Sequence, residues 1–189
     1  MKTFDIVVDT QNDFMLPNGK LYVPNAEKII EDYRNYLLNL DPSNSVGVLF
    51  LFDTHNENYK DTDEAKQFPE HCIRNTSGWN NVFQDIFSEI KVPVYTLEKG
   101  VFDMWFENNL SVNGPSGFSE DREAFFENLK EKVDEVVVGG VVTEVCVKDA
   151  ISGLLKRGFK TRVIPEHTKG LNITIHELIQ EPEFSDVVI

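Results

Sequence analysis

The sequence is poor in cysteine and in positive charge. Its 189 residues include two cysteines, Cys72 and Cys146, far apart in the chain. Two such residues do not make the framework of a disulfide-stapled secreted domain, so a reducing, cytoplasmic setting is the expectation. Lysine and arginine total 18 against 32 aspartates and glutamates, a formal net charge of −14. No basic cluster offsets this, which argues against nucleic acid and anionic membranes as partners. No apolar run approaches the roughly 20 residues of a membrane span. The start, Met1-Lys-Thr-Phe-Asp, lacks the small-residue cleavage site of a secretory signal. No internal repeat, low-complexity tract or linker divides the chain, and a single domain over residues 1–189 is expected.

What the chain does have is a series of short apolar runs alternating with helical patterns. Phe4–Val8, Val46–Phe52, Val92–Thr96, Val136–Val138 and Lys160–Ile164 read as strands buried on both faces. Between them, helical spacing predicts a helix after Asn25, with Ile29, Ile30, Tyr33, Leu37 and Leu40 on one face and Asn25 as its cap. Helices are also predicted over 79–90, over 102–110, from Ser119 to about Val133 and over 144–157, the last capped by Thr143. A short helix and an edge strand are expected in the tail from Thr174. Alternation of this kind predicts an α/β fold, a mainly parallel sheet between two helical layers. Ligands of such sheets bind at the carboxyl ends of the strands.

Four consecutive strand ends carry reactive side chains. Asp9 ends the first strand, Asp53 and His55 the second, Lys99 the third, and Cys146 follows the fourth. Cys146 sits just after Gly139-Gly140-Val-Val-Thr143, at the start of a predicted helix, where free N–H groups and the helix dipole favour a thiolate. Asp9 can take its proton and later return it to a leaving group, and Lys99 can hold negative charge. The turn at Val141–Val142 can aim backbone N–H groups, with that of Cys146, at an oxyanion. Such a set suits attack on an amide carbonyl through a thioester. No histidine lies near these three residues in sequence, so a Cys–His protease pair is not indicated.

A second set is Asp53, His55 and His71, with Glu64 able to close a fourth position. Two imidazoles with one or two carboxylates suit zinc, and also iron(II) or manganese. The polar stretch from Asn56 to Gly78 that carries Glu64 and His71 is long enough to suggest a functional loop. His167 and His176 read as surface residues, and Cys72 as structural. Phe14, Phe68, Phe102 and Val141 are the candidates for a small-molecule pocket, with Trp105 and Phe106 nearby.

Asp9-Thr-Gln-Asn-Asp-Phe14, Asp53-Thr-His55, Phe68-Pro-Glu-His71-Cys72, Lys99 and Gly140-Val-Val-Thr-Glu-Val-Cys146-Val, in this order, resemble the isochorismatase-like cysteine hydrolases, and within them the nicotinamidase/pyrazinamidase branch. The resemblance implies a six-stranded parallel sheet in a three-layer αβα sandwich, and a triad of Asp9, Lys99 and Cys146. It further implies a cis peptide at Val141–Val142, with an oxyanion hole from the N–H groups of Val142 and Cys146. A divalent metal on Asp53, His55 and His71, with Glu64 at the position where some members add a carboxylate, would contact the pyridine nitrogen of nicotinamide. Phe14 and Phe68 would flank the ring. Three positions depart from the usual pattern. Asn75 replaces a glycine, Glu166 an aspartate, and Gly100-Val-Phe-Asp-Met-Trp105 a tyrosine-serine-alanine-phenylalanine run. A metal-independent amidase acting on another small amide or carbamoyl compound, and a non-catalytic binding protein, are the alternative readings. Parallel-sheet enzymes of this size often self-associate, so a homo-oligomer is one expectation.

Overall fold

The computed structural model describes residues 1–62 and 64–189. Among these residues seven strands form one sheet: β1 (Thr3–Val8), β2 (Ser45–Asp53), β3 (Val94–Lys99), β4 (Ser111–Asn113), β5 (Ser119–Asp121), β6 (Glu135–Val141) and β7 (Thr161–Lys169), in the order β5-β4-β3-β2-β1-β6-β7. Five are parallel, and β4 and β5 add an antiparallel hairpin at one edge. The expected six strands are thus seven. The three-residue hairpin strands flanking Gly114–Gly117 are too short to leave a period in the sequence.

The buried strands alternate between two cores. Phe4, Ile6, Val8, Leu49 and Leu51 point to one face, and Val7, Val48, Phe50 and Phe52 to the other. On the first face pack α3 (Arg122–Lys130), α4 (Lys148–Lys156) and α5 (Ile175–Leu178), through Phe125, Phe126, Leu129, Ile151, Leu154 and Leu178. On the second lie α2 (Ile30–Leu38), through Tyr33 and Leu37, and the segment bearing Phe83, Ile86 and Ile90. The short α1 (Asn12–Met15) follows β1.

Several helix ends differ from expectation. Asn25 is left-handed, φ 65°, and makes no cap; a 3₁₀ turn over Ala26–Ile29 leads into α2. The Asp121 carboxylate accepts from the N–H groups of Glu123 and Ala124, which starts α3 at Arg122 and leaves Ser119 in a strand. The Thr143 hydroxyl has no hydrogen-bond partner among the described residues and is not a cap; a π-helical turn over Thr143–Val147 precedes α4.

Two predicted helices are irregular. Over 79–90 only Gln84–Ile86 forms a 3₁₀ turn. The backbone there is spent on the loop after β1: Val82 N–H donates to Thr10 O (2.9 Å), Asn12 N–H to Asn80 O (2.9 Å), and the Asn81 carboxamide exchanges bonds with Thr10 Oγ1. Tertiary bonds override the helical period. Segment 102–110 is a string of turns. Asp103 bonds Trp105 N–H, Asn109 is left-handed, and the carbonyls of Met104 and Glu107 accept from Arg122 rather than from a following turn. The tail has its helix, capped reciprocally by Thr174 and Glu177, and Val188 bridges to Arg162.

Candidate active site

The chain leaves β1 toward β2 and β6 toward β7, so the strand order reverses between β1 and β6, the place where sheets of this kind bind ligands at their carboxyl ends. Every candidate residue from the strand ends arrives there. Lys99 Nζ donates to Asp9 Oδ2 at 2.8 Å and lies 3.6 Å from Cys146 Sγ and 3.9 Å from Asp53 Oδ1. Asp9 and Lys99 are 1% exposed and Cys146 5%. An unpaired charge at such depth is expensive, so the Asp9–Lys99 ion pair is the arrangement the interior permits.

The Cys146 thiol differs from the sequence-based expectation. Burial pushes it well above its ordinary range, and Lys99 only opposes that shift. The turn it occupies does not by itself make a thiolate. Burial likewise raises the Asp9 carboxyl, against the pull of Lys99. With Oδ2 taken by Lys99, Asp9 Oδ1 is the acceptor left for the thiol proton. The Val141–Val142 peptide is cis, and Gly140 before it has φ +120°. A Cβ at Gly140 would come within 2.1 Å of Val8 O, so only glycine lets β6 lie this close to β1.

The second set also assembles. His55 Nε2 and His71 Nε2 lie 3.1 and 3.0 Å from Asp53 Oδ2, and 3.5 and 3.3 Å from Glu64 Oε1. One ligand atom from each of the four lies within 4.8 Å of the others. His71 Nδ1 donates to the Pro69 carbonyl (2.7 Å), which fixes the ring with Nε2 toward Asp53 and Glu64. Asp53 Oδ1, Glu64 Oε1 and His71 Nε2 are buried without a hydrogen-bond partner among the described residues. Orphaned donor atoms converging on one point fit a divalent cation. Burial works against charge on the imidazoles, but Asp53 and Glu64 prevail and raise His55 to about 9 and His71 to about 10. Burial also opposes the Asp53 carboxylate, and Lys99 with the imidazoles outweighs it, so this group stays ionised.

Phe14 packs edge-on to His71, ring centroids 5.3 Å apart, and Phe68 meets Phe102 edge-on at 5.4 Å. Val141 is fully buried. Trp105 lies against α4 through a bond to Ala150 O, and Phe106 points into solvent, 80% exposed. Asn75 keeps the left-handed turn, φ 65°, that a glycine would take, so this departure preserves the loop. Glu166 is exposed. His176 is exposed as expected, but His167 is buried, stacked on Tyr33 at 4.3 Å with Nε2 3.0 Å from Asp32 Oδ2. Its place in β7 was hidden by Pro165, which breaks the strand pattern.

Sequence reasoning passed over two supporting residues. The Gln11 carboxamide donates to Asp53 O and accepts from Asp53 N–H, both 2.8 Å, clamping the end of β2. The Asp13 carboxylate accepts from Cys72 N–H (2.8 Å) and fixes the turn after His71. Gln11-Asn-Asp13, polar residues directly after a buried strand, was the available signal.

An isochorismatase-domain model matches residues 5–179, and the chain belongs to this family. It is 25% identical to the nicotinamidase of Saccharomyces cerevisiae over 91% of this chain and 89% of that one. It is 26% identical to the nicotinamidase/pyrazinamidase of Mycobacterium tuberculosis over 88% and 86%. The crystal structure of the pyrazinamidase of Pyrococcus horikoshii in complex with zinc superposes with a TM-score of 0.75 at 26% identity, covering 100% of this chain and 98% of that one.

Proposed function

We propose that this protein is a cysteine amidohydrolase that converts nicotinamide to nicotinate and ammonia. The observation that carries the reading is the placement of one ammonium, Lys99 Nζ, 2.8 Å from Asp9 and 3.6 Å from Cys146 Sγ, beside a four-residue cation set. The relatives named nicotinamidase support the choice of substrate.

Asp9 takes the Cys146 proton as sulfur attacks the amide carbon, so the charge separates only as the C–S bond forms. The carbonyl oxygen becomes an oxyanion, held by the N–H groups of Val142 and Cys146. Collapse breaks the C–N bond, and Asp9 passes its proton to the nitrogen, which leaves as ammonia. Asp9 then takes a proton from water as it attacks the thioester. Cleavage of the C–S bond releases nicotinic acid, which loses its proton to solvent as nicotinate, and Asp9 returns its own proton to sulfur. Lys99 holds Asp9 in place throughout and favours its ionised form whenever it is to accept a proton. Asp53, His55, Glu64 and His71 would hold a divalent cation, zinc in the first place, which offers the pyridine nitrogen a Lewis acid. Phe14 and Phe68 are the aromatic walls for the ring.

The test is ammonia release from nicotinamide by zinc-loaded protein, with Cys146→Ala as control. Turnover by the parent and none by the variant is the expected result. A folded, metal-loaded parent without turnover, yet active on other small amides, would reassign the substrate.

A further inference from the structure

The peptide unit joining Lys99 to Gly100 is held at both of its polar ends. Lys99 C=O accepts from Thr54 N–H (2.8 Å), and Gly100 N–H donates to Glu107 Oε2 (2.6 Å). The second bond is charge-assisted and short, the kind that orients as well as stabilises. Glu107 is held in its turn. Its main-chain carbonyl accepts from Arg122 Nη1 (2.6 Å), and the same guanidinium reaches the Met104 carbonyl. Arg122, 6% exposed, is anchored by the Glu123 carboxylate, which also binds Arg157. Arg157 lies 3.9 Å over the Trp105 ring, and Trp105 Nε1 donates to Ala150 O in α4. Segment 100–110, which begins with the atypical run Gly100–Trp105, is therefore fastened to the strand of Lys99 through Glu107 and to the helix that follows Cys146 through Trp105.

We propose that Glu107 is a positioning residue for Lys99, and that Arg122 fixes Glu107 for that task. The inference rests on the reading of Lys99, Asp9 and Cys146 as the reacting set, and deepens it. A lysine stem has four rotatable carbons, and the Lys99 ammonium must sit between Asp9, Asp53 and Cys146 at once. Fixing the peptide after Lys99 sets the direction in which that stem departs. Glu107 itself is half-buried on the loop and belongs to neither face of the core. Its loss should move the ammonium while sparing the fold.

The experiment compares Glu107→Ala, Glu107→Gln and Arg122→Met in the full, zinc-loaded chain. Two rates are read: ammonia release, and iodoacetamide alkylation of Cys146 followed by peptide mapping. Glu107→Ala should lower kcat about ten- to hundredfold with KM changed less than about threefold, and slow Cys146 alkylation about tenfold. Glu107→Gln keeps an oxygen for Gly100 N–H and should stay within about threefold of the parent. Arg122→Met should repeat the alanine defect where it folds; where it does not, the two Glu107 variants decide alone. Parent-like kcat and alkylation in Glu107→Ala, or a glutamine variant as impaired as the alanine one, would overturn the proposal. Turnover that survives in Cys146→Ala would bring down the nucleophile assignment, and this inference with it. If the parent alkylates but leaves nicotinamide intact, the alkylation rates decide the role of Glu107 by themselves.

Discussion

Asp53 and Lys99 are register partners across β2 and β3, and Lys99 Nζ lies 3.9 Å from Asp53 Oδ1. Asp53 belongs to the cation set, and Lys99 is bonded to Asp9. One cross-strand pair thus joins the cluster suited to a metal to the cluster suited to thiol chemistry. The pairing follows from parallel register, since both residues end adjacent strands at the same level.

The Asp9–Lys99 pair should behave as a buried ion pair. Lys99→Met leaves a carboxylate without its partner and should cost about 3–5 kcal/mol in urea unfolding. Asp9→Asn combined with Lys99→Met should recover part of that loss while remaining inactive. Additive losses in the double variant would mean that the two side chains do not interact.

Loading the cation set should be visible without any substrate. Zinc at about 100 times its Kd should stabilise the protein by about 2.7 kcal/mol, a rise in melting temperature of about 5–10 °C. His71→Ala should lose most of the rise and bind less zinc by elemental analysis. An equal rise in His71→Ala would place the metal elsewhere.

Gly140 tests the close approach of β6 to β1. Gly140→Ala must clear Val8 O at 2.1 Å and Val8 N at 2.7 Å, and should cost about 3 kcal/mol or more. Gly117→Ala also carries a positive φ, +78°, but meets nothing within 4 Å, and should cost about 1 kcal/mol. Equal losses in equilibrium unfolding would show that backbone conformation alone, not contact with β1, sets the cost.

Asp5 should give the protein an acid-side dependence of its own. Burial raises its carboxyl to about 6, against bonds from Tyr36 and the charge of Arg162. The folded state then holds more protons than the unfolded one between about pH 4 and 6. Asp5 therefore costs stability as pH rises through that window, and the cost is complete above it. Asp5→Asn removes the effect. Its stability relative to the parent should improve by about 3 kcal/mol between pH 4 and pH 7. A difference that stays constant with pH would show that Asp5 titrates normally.

The sequence by itself determined the five parallel strands, their order of reactive ends, and which side chains meet at one edge of the sheet. Continuous β-branched and aromatic runs are buried wherever they occur, and a parallel sheet puts all its carboxyl ends on one edge. Asp9, Asp53, Lys99 and Cys146 could be placed together on that ground alone. Tertiary structure decided what depends on partners distant in the chain. Segment 79–90 has a helical period but gives its hydrogen bonds to the loop after β1, and 102–110 gives its carbonyls to Arg122. His167 looked like a surface residue until Tyr33 and Asp32 covered it. The state of Cys146 was likewise beyond local reading. Its position in the first turn favours a thiolate, but burial, which no local pattern encodes, raises the thiol.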